Sequence, residues 1–358
     1  MHVRMVDLGR LHGPIRAEID GAIARVVDAG RFVLGDEVAA FEREIAHFLG
    51  VSRAVGVSSG SDALLACLWA EGISAGDEVI VPALSFVATA EAVVRAGAKP
   101  VFADVDDDGN LDSEAALARV GPRTRAILAV DLFGRRAQVA ALARARVPIV
   151  IDAAQAIGPG VLRGARAAAI SFFPTKNLGA FGDGGLVATD QDALADAARA
   201  LRAHGATKKY VHDAIGWNMR LDALQAAVLR AKLPHLGAWN AARRRVAATY
   251  LRELAGLDGL ALPADAPDHV WHQFVVHVAE ARGRDALRTH LEARGVESEV
   301  YYPLALHLQP CFVHLGGREG ELPRAEAATR RALALPIHPS LDEAEIAHVV
   351  ASVRSFFS

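Results

Sequence analysis

The sequence has little of several things that identify a function directly. Of its 358 residues only two are cysteines, Cys67 and Cys311, and neither belongs to a CxxC motif or a His/Cys cluster. We therefore expect two reduced thiols, no disulfide framework and no metal site. The formal net charge is −3, which gives no reason to expect nucleic acid or an anionic membrane as a partner.

Long hydrophobic runs are also missing. The longest fully apolar stretch has about eight residues, against the ~20 that a membrane-spanning helix needs. The first segment, Met1 to Gly13, carries Arg4, Asp7 and Arg10 and has no apolar signal region. These absences predict a soluble cytoplasmic enzyme.

Lysine is scarce, and this scarcity makes each lysine informative. It occurs at five positions, while all other Lys/Arg residues are arginines. Arginine stays protonated and cannot form an imine, so each lysine raises the question of whether an amine is needed there. The five are Lys99, Lys176, Lys208, Lys209 and Lys232.

What the chain does contain is a series of apolar strand candidates separated by helical segments. Most of these strands are continuously apolar, which favours a mainly parallel sheet covered on both faces by helices. A helix is predicted at 36–49, where Val38, Phe41 and Ile45 recur at helical spacing. The predicted strands are 54–57, 76–82, 100–105, 124–130, 148–152 and 167–173.

Beyond about residue 190 the sequence changes character. Long helices rich in Ala, Arg and Leu are predicted up to Leu254, and a Pro-rich stretch at 263–267 indicates a boundary. We expect a large domain over 1–255 and a smaller C-terminal α+β domain over 256–358. The small domain is predicted to contain a half-buried strand at 272–279, a helix at 284–294 and a strand at 296–301.

Two strand ends deliver polar side chains. PIVIDAAQAIG (148–158) places Asp152 and Gln155 at the carboxyl end of a buried strand, where ligands of open α/β sheets bind. The Asp152 carboxylate can pair with a protonated heterocyclic nitrogen, although an Asp here can also cap a following helix. In AAISFFPTKNLGAFGDGG (168–185), Lys176 follows a second strand; burial lowers an amine's pKa, and a neutral amine attacks an aldehyde. The alternative is a lysine that extends out of a loop into solvent.

Two weaker features complete the set. SSGSDAL (58–64) predicts a helix with Ser61 as N-cap, and amides at a helix N-terminus bind phosphate, although any capped helix looks similar. Phe86 follows a strand and can lie on a planar ring, or simply belong to the core. Pyridoxal 5′-phosphate (PLP) needs all four features together: an acid for its ring nitrogen, an amine for its aldehyde, a phosphate cup and a stacking ring.

The chain resembles the DegT/StrS-type sugar aminotransferases, within the aspartate-aminotransferase fold (PLP fold type I), nearly from end to end. The segments IDAAQAIG (151–158) and SFFPTKNLGAFGDGG (171–185) carry the most specific part of the resemblance. Two departures stand out: only 15 residues separate Gln155 from Ser171, and SGSDAL replaces the SGT found in many relatives. The other matching segments are GRFVLGDEVAAFE (30–42), SSGSDAL (58–64), GDEVIVPALSFVATAEAV (76–93), IGWNMRLDALQAAVL (215–229) and YYPLALHLQP (301–310).

The resemblance implies a role for each matching residue. Lys176 would carry PLP as a Schiff base and later move the proton between substrate and cofactor. Asp152 would keep the pyridine nitrogen protonated, so that the ring accepts electrons. Gln155 would contact the phenolic oxygen side, and Phe86 would stack on the ring.

The resemblance also implies a phosphate site and a partner. Ser171 and the backbone at Ser61 and Asp62 would hold the phosphate, and Asn218 would reach it from the other subunit, which implies a homodimer with shared active sites. Residues near the mouth of the site are assigned to substrate. They are Arg220, Tyr302, His307 and Gln309.

The implied reaction moves an amino group from an amino acid, glutamate by expectation, to a keto group of a nucleotide-linked hexose. A cyclitol ketone is an alternative acceptor. A sugar dehydratase of the same fold is a second alternative, but such relatives typically replace the lysine with histidine. A non-enzymatic regulatory protein is a third, although it should have lost Asp152 or Lys176, and both remain.

Overall fold

The computed structural model describes residues 1–208 and 210–358 of the chain. Its central feature is a seven-stranded sheet in the order β1-β7-β6-β5-β4-β2-β3. Strands β6, β5, β4, β2 and β3 run parallel to one another, while β7 is antiparallel to both β6 and β1. The strands are β1 (Arg53–Val57), β2 (Glu78–Pro82), β3 (Lys99–Ala103), β4 (Thr124–Val130), β5 (Ile149–Asp152), β6 (Ala167–Ser171) and β7 (Gly185–Thr189).

Both faces of this sheet are buried, which explains why its strands are continuously apolar. Successive residues of β2 point to opposite faces: Val79 and Val81 belong to one hydrophobic core and Ile80 to the other. The mainly parallel, doubly covered sheet predicted from the sequence is confirmed. The helices up to the end of this sheet are α1 (Leu8–His12), α2 (Arg16–Ala29), α3 (Asp36–Leu49), α4 (Gly60–Ala70), α5 (Ala88–Arg95), α6 (Ser113–Ala118) and α7 (Val139–Leu142).

The C-terminal part builds a second, smaller core. Strands β10, β11 and β12 form an antiparallel sheet. Its apolar face packs against helices, so that Phe274 of the sheet shares one hydrophobic core with Tyr250 and Val349 of the helices. The domain boundary at 255/256 stays a prediction. The remaining elements are α8 (Asp192–Leu201), β8 (Ala206–Lys208), β9 (Val211–His212), α9 (Ala223–Lys232), α10 (Leu236–Glu253), β10 (Leu260–Ala261), β11 (Phe274–Val278), α11 (Arg284–Glu292), α12 (Pro323–Arg331), β12 (Ala332–Leu335) and α13 (Glu343–Phe357).

Several local expectations were wrong. The strand predicted at 296–301 is absent: Val296 and Glu299 each make only an isolated bridge, to Val3 and Ala334 respectively. The helical stretch predicted up to Leu254 is interrupted after Leu201 by the β8–β9 hairpin.

Two further findings concern the chain as a whole. Lys209, one of the five lysines, lies outside the described residues. Within residues 1–208 and 210–358 no helix is long and apolar enough to cross a bilayer. The cytoplasmic location stays a prediction.

Candidate active site

A cavity of about 460 Å³ opens at the carboxyl ends of the parallel strands. Its walls come from segments far apart in the sequence, because the parallel sheet brings the ends of β5 and β6 together and the start of α4 lies against the end of β6. The lining residues are Ser59, Gly60, Ser61, Leu64, Ser85, Phe86, Ala88, Val130, Asp152, Ala154, Gln155, Ser171, Phe173, Thr175, Lys176, Asp183, His272, Gln273, Tyr301 and Tyr302.

Asp152 is buried at the last position of β5 and is held from two sides. Its Oδ2 accepts a hydrogen bond from Thr89 Oγ1 at 2.7 Å, and its Oδ1 accepts one from the Ala154 amide at 3.1 Å. A hydroxyl has one proton, so Thr89 accepts in turn from Ser85 Oγ at 2.7 Å. Burial raises the pKa of Asp152, against the lowering effect of Thr89, Ala154 and Lys176. A turn follows Asp152, so the helix-cap alternative is wrong.

Lys176 lines the same cavity from the turn after β6. The turn is closed by the Lys176 amide, which donates to the Phe173 carbonyl at 2.8 Å. It stays tight because Gly179 packs on the Pro174 carbonyl, where a Cβ would collide. Burial lowers the pKa of Lys176 to about 8, with Asp152 acting in the opposite direction. Because Lys176 lines the cavity at the carboxyl ends of the strands, the solvent-directed alternative is wrong.

The start of α4 and the end of β6 form a small cradle. The helix begins at Gly60 with Ser59 as N-cap, whose Oγ accepts from the Asp62 amide at 3.1 Å; the prediction of Ser61 as N-cap was wrong. A Cβ on Gly60 would lie 2.6 Å from the Ser171 Cβ, so only glycine permits this close approach. The first-turn amides and the Ser61 and Ser171 hydroxyls are the donors that a phosphate group requires.

Asp62 itself is turned away from the cavity. Its carboxylate accepts hydrogen bonds from Ser58 Oγ at 2.6 Å and from Arg95 Nη2 at 3.2 Å. The Asp62 amide donates a hydrogen bond to Ser59 Oγ, so Asp62 helps to fix the start of the helix.

Gln155 links the large sheet to the C-terminal part. Its Oε1 accepts from the Phe133 amide at 2.6 Å and its Nε2 donates to the Tyr302 hydroxyl at 3.0 Å. Phe86 is 55% exposed, and its ring centroid lies 6.1 Å from that of Tyr302. An aromatic face is thus available at the mouth of the cavity.

Besides Asp62, four predicted residues do not line the cavity. Asn218 is exposed and bridges Ala203, while Arg220 bridges Val57 beside the cradle. His307 is buried and its Nε2 lies 3.2 Å from Glu326 Oε1. Gln309 is half-buried at the end of a short 3₁₀ helix.

Sequence reasoning also missed residues that do line the cavity. His272 is buried beside Lys176, and its Nδ1 lies 3.1 Å from Asn177 Oδ1. Thr89 supports Asp152 although it does not line the cavity. The available signal for Thr89 was its place in the first turn of α5, shortly after the carboxyl end of β2.

The cavity residues fit PLP. The cradle at Gly60, which a Cβ would fill, suits the phosphate. The buried Asp152 carboxylate suits a pyridinium nitrogen, and the Lys176 amine, with its lowered pKa, suits the aldehyde.

Comparisons with known proteins agree with this assignment. The family model described as the DegT/DnrJ/EryC1/StrS aminotransferase family matches residues 14–354. A dTDP-3-amino-3,4,6-trideoxy-alpha-D-glucose transaminase of Streptomyces venezuelae is 45% identical, over 99% of this chain and 96% of its own. A pleiotropic regulatory protein of Geobacillus stearothermophilus is 43% identical, over 100% and 99% respectively.

The crystal structure of DesV from S. venezuelae in complex with a ketimine intermediate superimposes with a TM-score of 0.95 at 45% identity, covering 100% of this chain and 99% of DesV. The resemblance seen in the sequence is thereby confirmed. The chain belongs to the DegT/DnrJ/EryC1/StrS family and is a PLP-dependent aminotransferase of fold type I.

Proposed function

We propose that this aminotransferase moves the amino group of L-glutamate to a keto group of a nucleotide-linked sugar. The observation that carries the proposal is the convergence of Lys176 and Asp152 in one cavity, together with a 45% identical relative whose name is that of a dTDP-sugar transaminase. The cavity, at about 460 Å³, has room for a cofactor and part of a sugar substrate.

In this proposal Lys176 has two tasks, both at its Nζ. With a pKa of about 8, about a tenth of the amine is neutral at pH 7, far more than for an ordinary lysine, and this neutral form can attach the cofactor aldehyde. When released, the same amine accepts and returns the proton at the substrate carbon. PLP, when bound, supplies an electron sink that stabilises negative charge developing at that carbon.

Asp152 orients and charges the cofactor ring. Its two oxygens are fixed by Thr89 and Ala154, so its carboxylate cannot turn away from the cavity. We propose that the carboxylate holds the proton on the pyridine nitrogen.

The remaining contacts position the cofactor. Ser61 and Ser171, with the first-turn amides of Gly60 and Ser61, would hold the phosphate, whereas the Asp62 amide is engaged by Ser59 Oγ. Phe86 would cover the ring, and Gln155, fixed by Phe133 and Tyr302, would face the phenolic oxygen.

We further propose a homodimer whose partner completes each cavity. Asn218 lies outside the cavity of its own chain and is exposed, as a residue that serves a neighbouring subunit must be. Large apolar side chains are also exposed, which favours burial against a second copy. They include Phe32, Val33, Phe181 and Ile215.

Substrate contacts and location stay proposals as well. Tyr302 is at the cavity wall and is well placed to contact a sugar, whereas Arg220, His307 and Gln309, the other sequence-based candidates, do not line the cavity of this chain. We propose that the enzyme acts in the cytoplasm.

The half-reactions test this function separately. L-Glutamate alone should bleach the yellow PLP form and release 2-oxoglutarate, and a nucleotide-linked 3-keto or 4-keto hexose should restore it. Lys176→Ala is the control and should show neither change. Conversion by L-glutamate but reoxidation only by a cyclitol ketone would establish the cyclitol alternative. If glutamate and glutamine both leave the spectrum unchanged while the apo protein rebinds PLP, the transaminase proposal fails.

A further inference from the structure

A second, smaller cavity of about 70 Å³ adjoins the active-site cavity. The two share four wall residues: Thr175, His272, Gln273 and Tyr301. Thr175 immediately precedes Lys176 in the chain, and Lys176 lines the adjoining active-site cavity. Its other lining residues are Met5, Val6, Arg243 and Ile337.

Arg243, on α10, is the charged residue of this small cavity. It is only 4% exposed. Its Nη1 donates to the carbonyls of Trp271 and His272, each at 3.3 Å, and of Ile337 at 2.7 Å, while its Nε has no partner within the described chain. Every acceptor that it contacts is therefore a neutral carbonyl.

The positive charge of Arg243 is not offset. Burial lowers its pKa to about 10, and no carboxylate in the described part of the chain raises it. Arg202, another buried arginine, differs because it is paired with Glu42. A buried cation without a counter-ion is unfavourable, and an anionic ligand would relieve this.

The wall has two other titratable groups, Tyr301 and His272, and neither competes for an anion. Burial raises the pKa of the Tyr301 hydroxyl, so it stays neutral. Asn177 Nδ2 donates to Asn240 Oδ1 and to the Val270 carbonyl, so its Oδ1 is the acceptor for His272 Nδ1. Burial, with Lys176 and Arg243 nearby, keeps the pKa of His272 well below its usual value. His272 is thus neutral, and Arg243 is the cationic residue of this wall.

We infer that Arg243 binds a carboxylate of the amino-acid donor in this small cavity, with the donor amine directed to Lys176. The inference rests on the proposed function and names the donor site within it. A cavity of about 70 Å³ accepts a carboxylate group but is too small for a hexose ring, so it discriminates the donor from the sugar.

Binding of succinate, a dicarboxylate without an amine, tests the site in the PLP-loaded enzyme. We expect calorimetry to show that Arg243→Met weakens succinate binding about 10²-fold, as removal of a buried charge partner does. Arg244→Met is the matched control. Arg244 lies on the same helix and also donates to backbone carbonyls, at Ala266, Pro267 and His269, but it does not line the cavity. The affinity of Arg244→Met for succinate should therefore stay within about threefold of wild type.

A second variant separates ligand binding from structural support. Val6→Trp should fill the small cavity, and Val6 is not among the hydrogen-bond partners of Arg243. It should weaken succinate binding at least about tenfold without lowering Tm. If wild type does not bind succinate, or if Arg243→Met and Val6→Trp both bind it within about threefold of wild type, the site is overturned, and Arg243 only ties α10 to the neighbouring loops.

Two single-carboxylate amines identify which carboxylate is bound. L-Norvaline retains the α-carboxylate, and 4-aminobutyrate retains the distal one. If Arg243→Met slows cofactor conversion by L-norvaline, Arg243 binds the α-carboxylate. If it slows conversion by 4-aminobutyrate, Arg243 binds the distal carboxylate. If it slows neither, the inference is overturned. If the wild-type enzyme still reacts with L-glutamate in that case, the proposed function stands. If the wild type does not react with L-glutamate, the proposed function is refuted.

Discussion

The predicted site residues fall into two groups that the structure treats differently. Lys176, Asp152 and Gln155, which follow buried strands, meet in one cavity and are held by hydrogen bonds within the chain. Asn218 and His307, assigned only through family resemblance, lie outside it. Strand ends are reliable indicators because a parallel sheet brings its carboxyl ends to one edge.

The second group needs information that one chain does not contain. Asn218 is exposed in the segment after the β8–β9 hairpin and fits a role only if a partner cavity is present. His307 is buried against Glu326, with side-chain exposures of 1% and 6%, so the pair is isolated from solvent and from the cavity. If this division is functional, the catalytic effect of substitution should fall from Lys176 and Asp152 to His307.

The largest effect is expected at Lys176. Lys176→Ala should abolish covalent attachment of the cofactor, and borohydride reduction of wild type should fix the label on the peptide with Lys176. Lys232 is the internal control: burial also lowers its pKa to about 8, but it donates to the Gly179 carbonyl and does not line the cavity. Mass mapping that places the label on Lys232, Lys208 or Lys209 contradicts the assignment.

The second-largest effect is expected for Asp152→Asn. Its kcat should fall about 10²–10³-fold, which corresponds to roughly 3–4 kcal/mol of transition-state stabilisation. The amide cannot hold the pyridinium proton by charge. Cofactor binding should persist, because Lys176 and the cradle remain. Thr89→Val, which removes one hydrogen bond to the carboxylate, should give a smaller loss in the same direction. Near-normal turnover of Asp152→Asn would reduce this residue to a structural role.

The fold was predictable where the signal was local. The helix at 36–49 and the strand at 124–130 were predicted at their observed bounds, because amphipathic spacing and a continuous apolar run suffice to specify them. Strand β7 was missed because Gly185 follows a glycine-rich loop. The error at 296–301 has the opposite cause: Val296 meets Val3, nearly the whole chain away, and such partners leave no local pattern.

The site was predictable in its chemistry more than in its geometry. The acid and the amine could be identified from their strand ends. The N-cap could not, because SSGS offers three serines, and the choice of Ser59 depends on Gly60 fitting against Ser171. Arg243 and His272 gave no signal, since their importance comes from a cavity between distant segments.

The lowered pKa of Lys176 predicts how cofactor capture depends on pH. In the cofactor-free protein, the neutral amine is the nucleophile, so the rate of PLP attachment should rise about tenfold per pH unit below 8 and level off above it. Stopped-flow absorbance, at PLP concentrations that saturate the phosphate site, measures this rate. A midpoint near 10.5, the ordinary lysine value, would show that the cavity does not desolvate Lys176.

A mixing experiment tests whether Asn218 acts across an interface. Lys176→Ala and Asn218→Asp, the latter setting a carboxylate against the phosphate, should each give poor or inactive homodimers. If Asn218 serves the partner, a heterodimer carries both lesions in one cavity and leaves the other intact, so activity should recover towards half of wild type per heterodimer.

The control for this experiment is subunit exchange verified by mass. Exchange without recovery means that each cavity carries one lesion, and Asn218 then serves its own subunit. A monomeric protein in solution would contradict the shared site directly.

The smallest catalytic effect is expected at His307. His307→Ala removes a buried contact with Glu326, whose carboxylate also accepts from the amides of Gly320 and Leu322. We expect the free energy of unfolding to fall by about 1–3 kcal/mol, because a buried hydrogen bond to a charged group is lost. The KM for the sugar substrate should stay within about twofold, since His307 does not line the cavity. Denaturant unfolding and steady-state kinetics on one preparation measure both quantities. A tenfold rise in KM at unchanged stability would restore His307 to the substrate site and show that the cavity of the single chain is incomplete there.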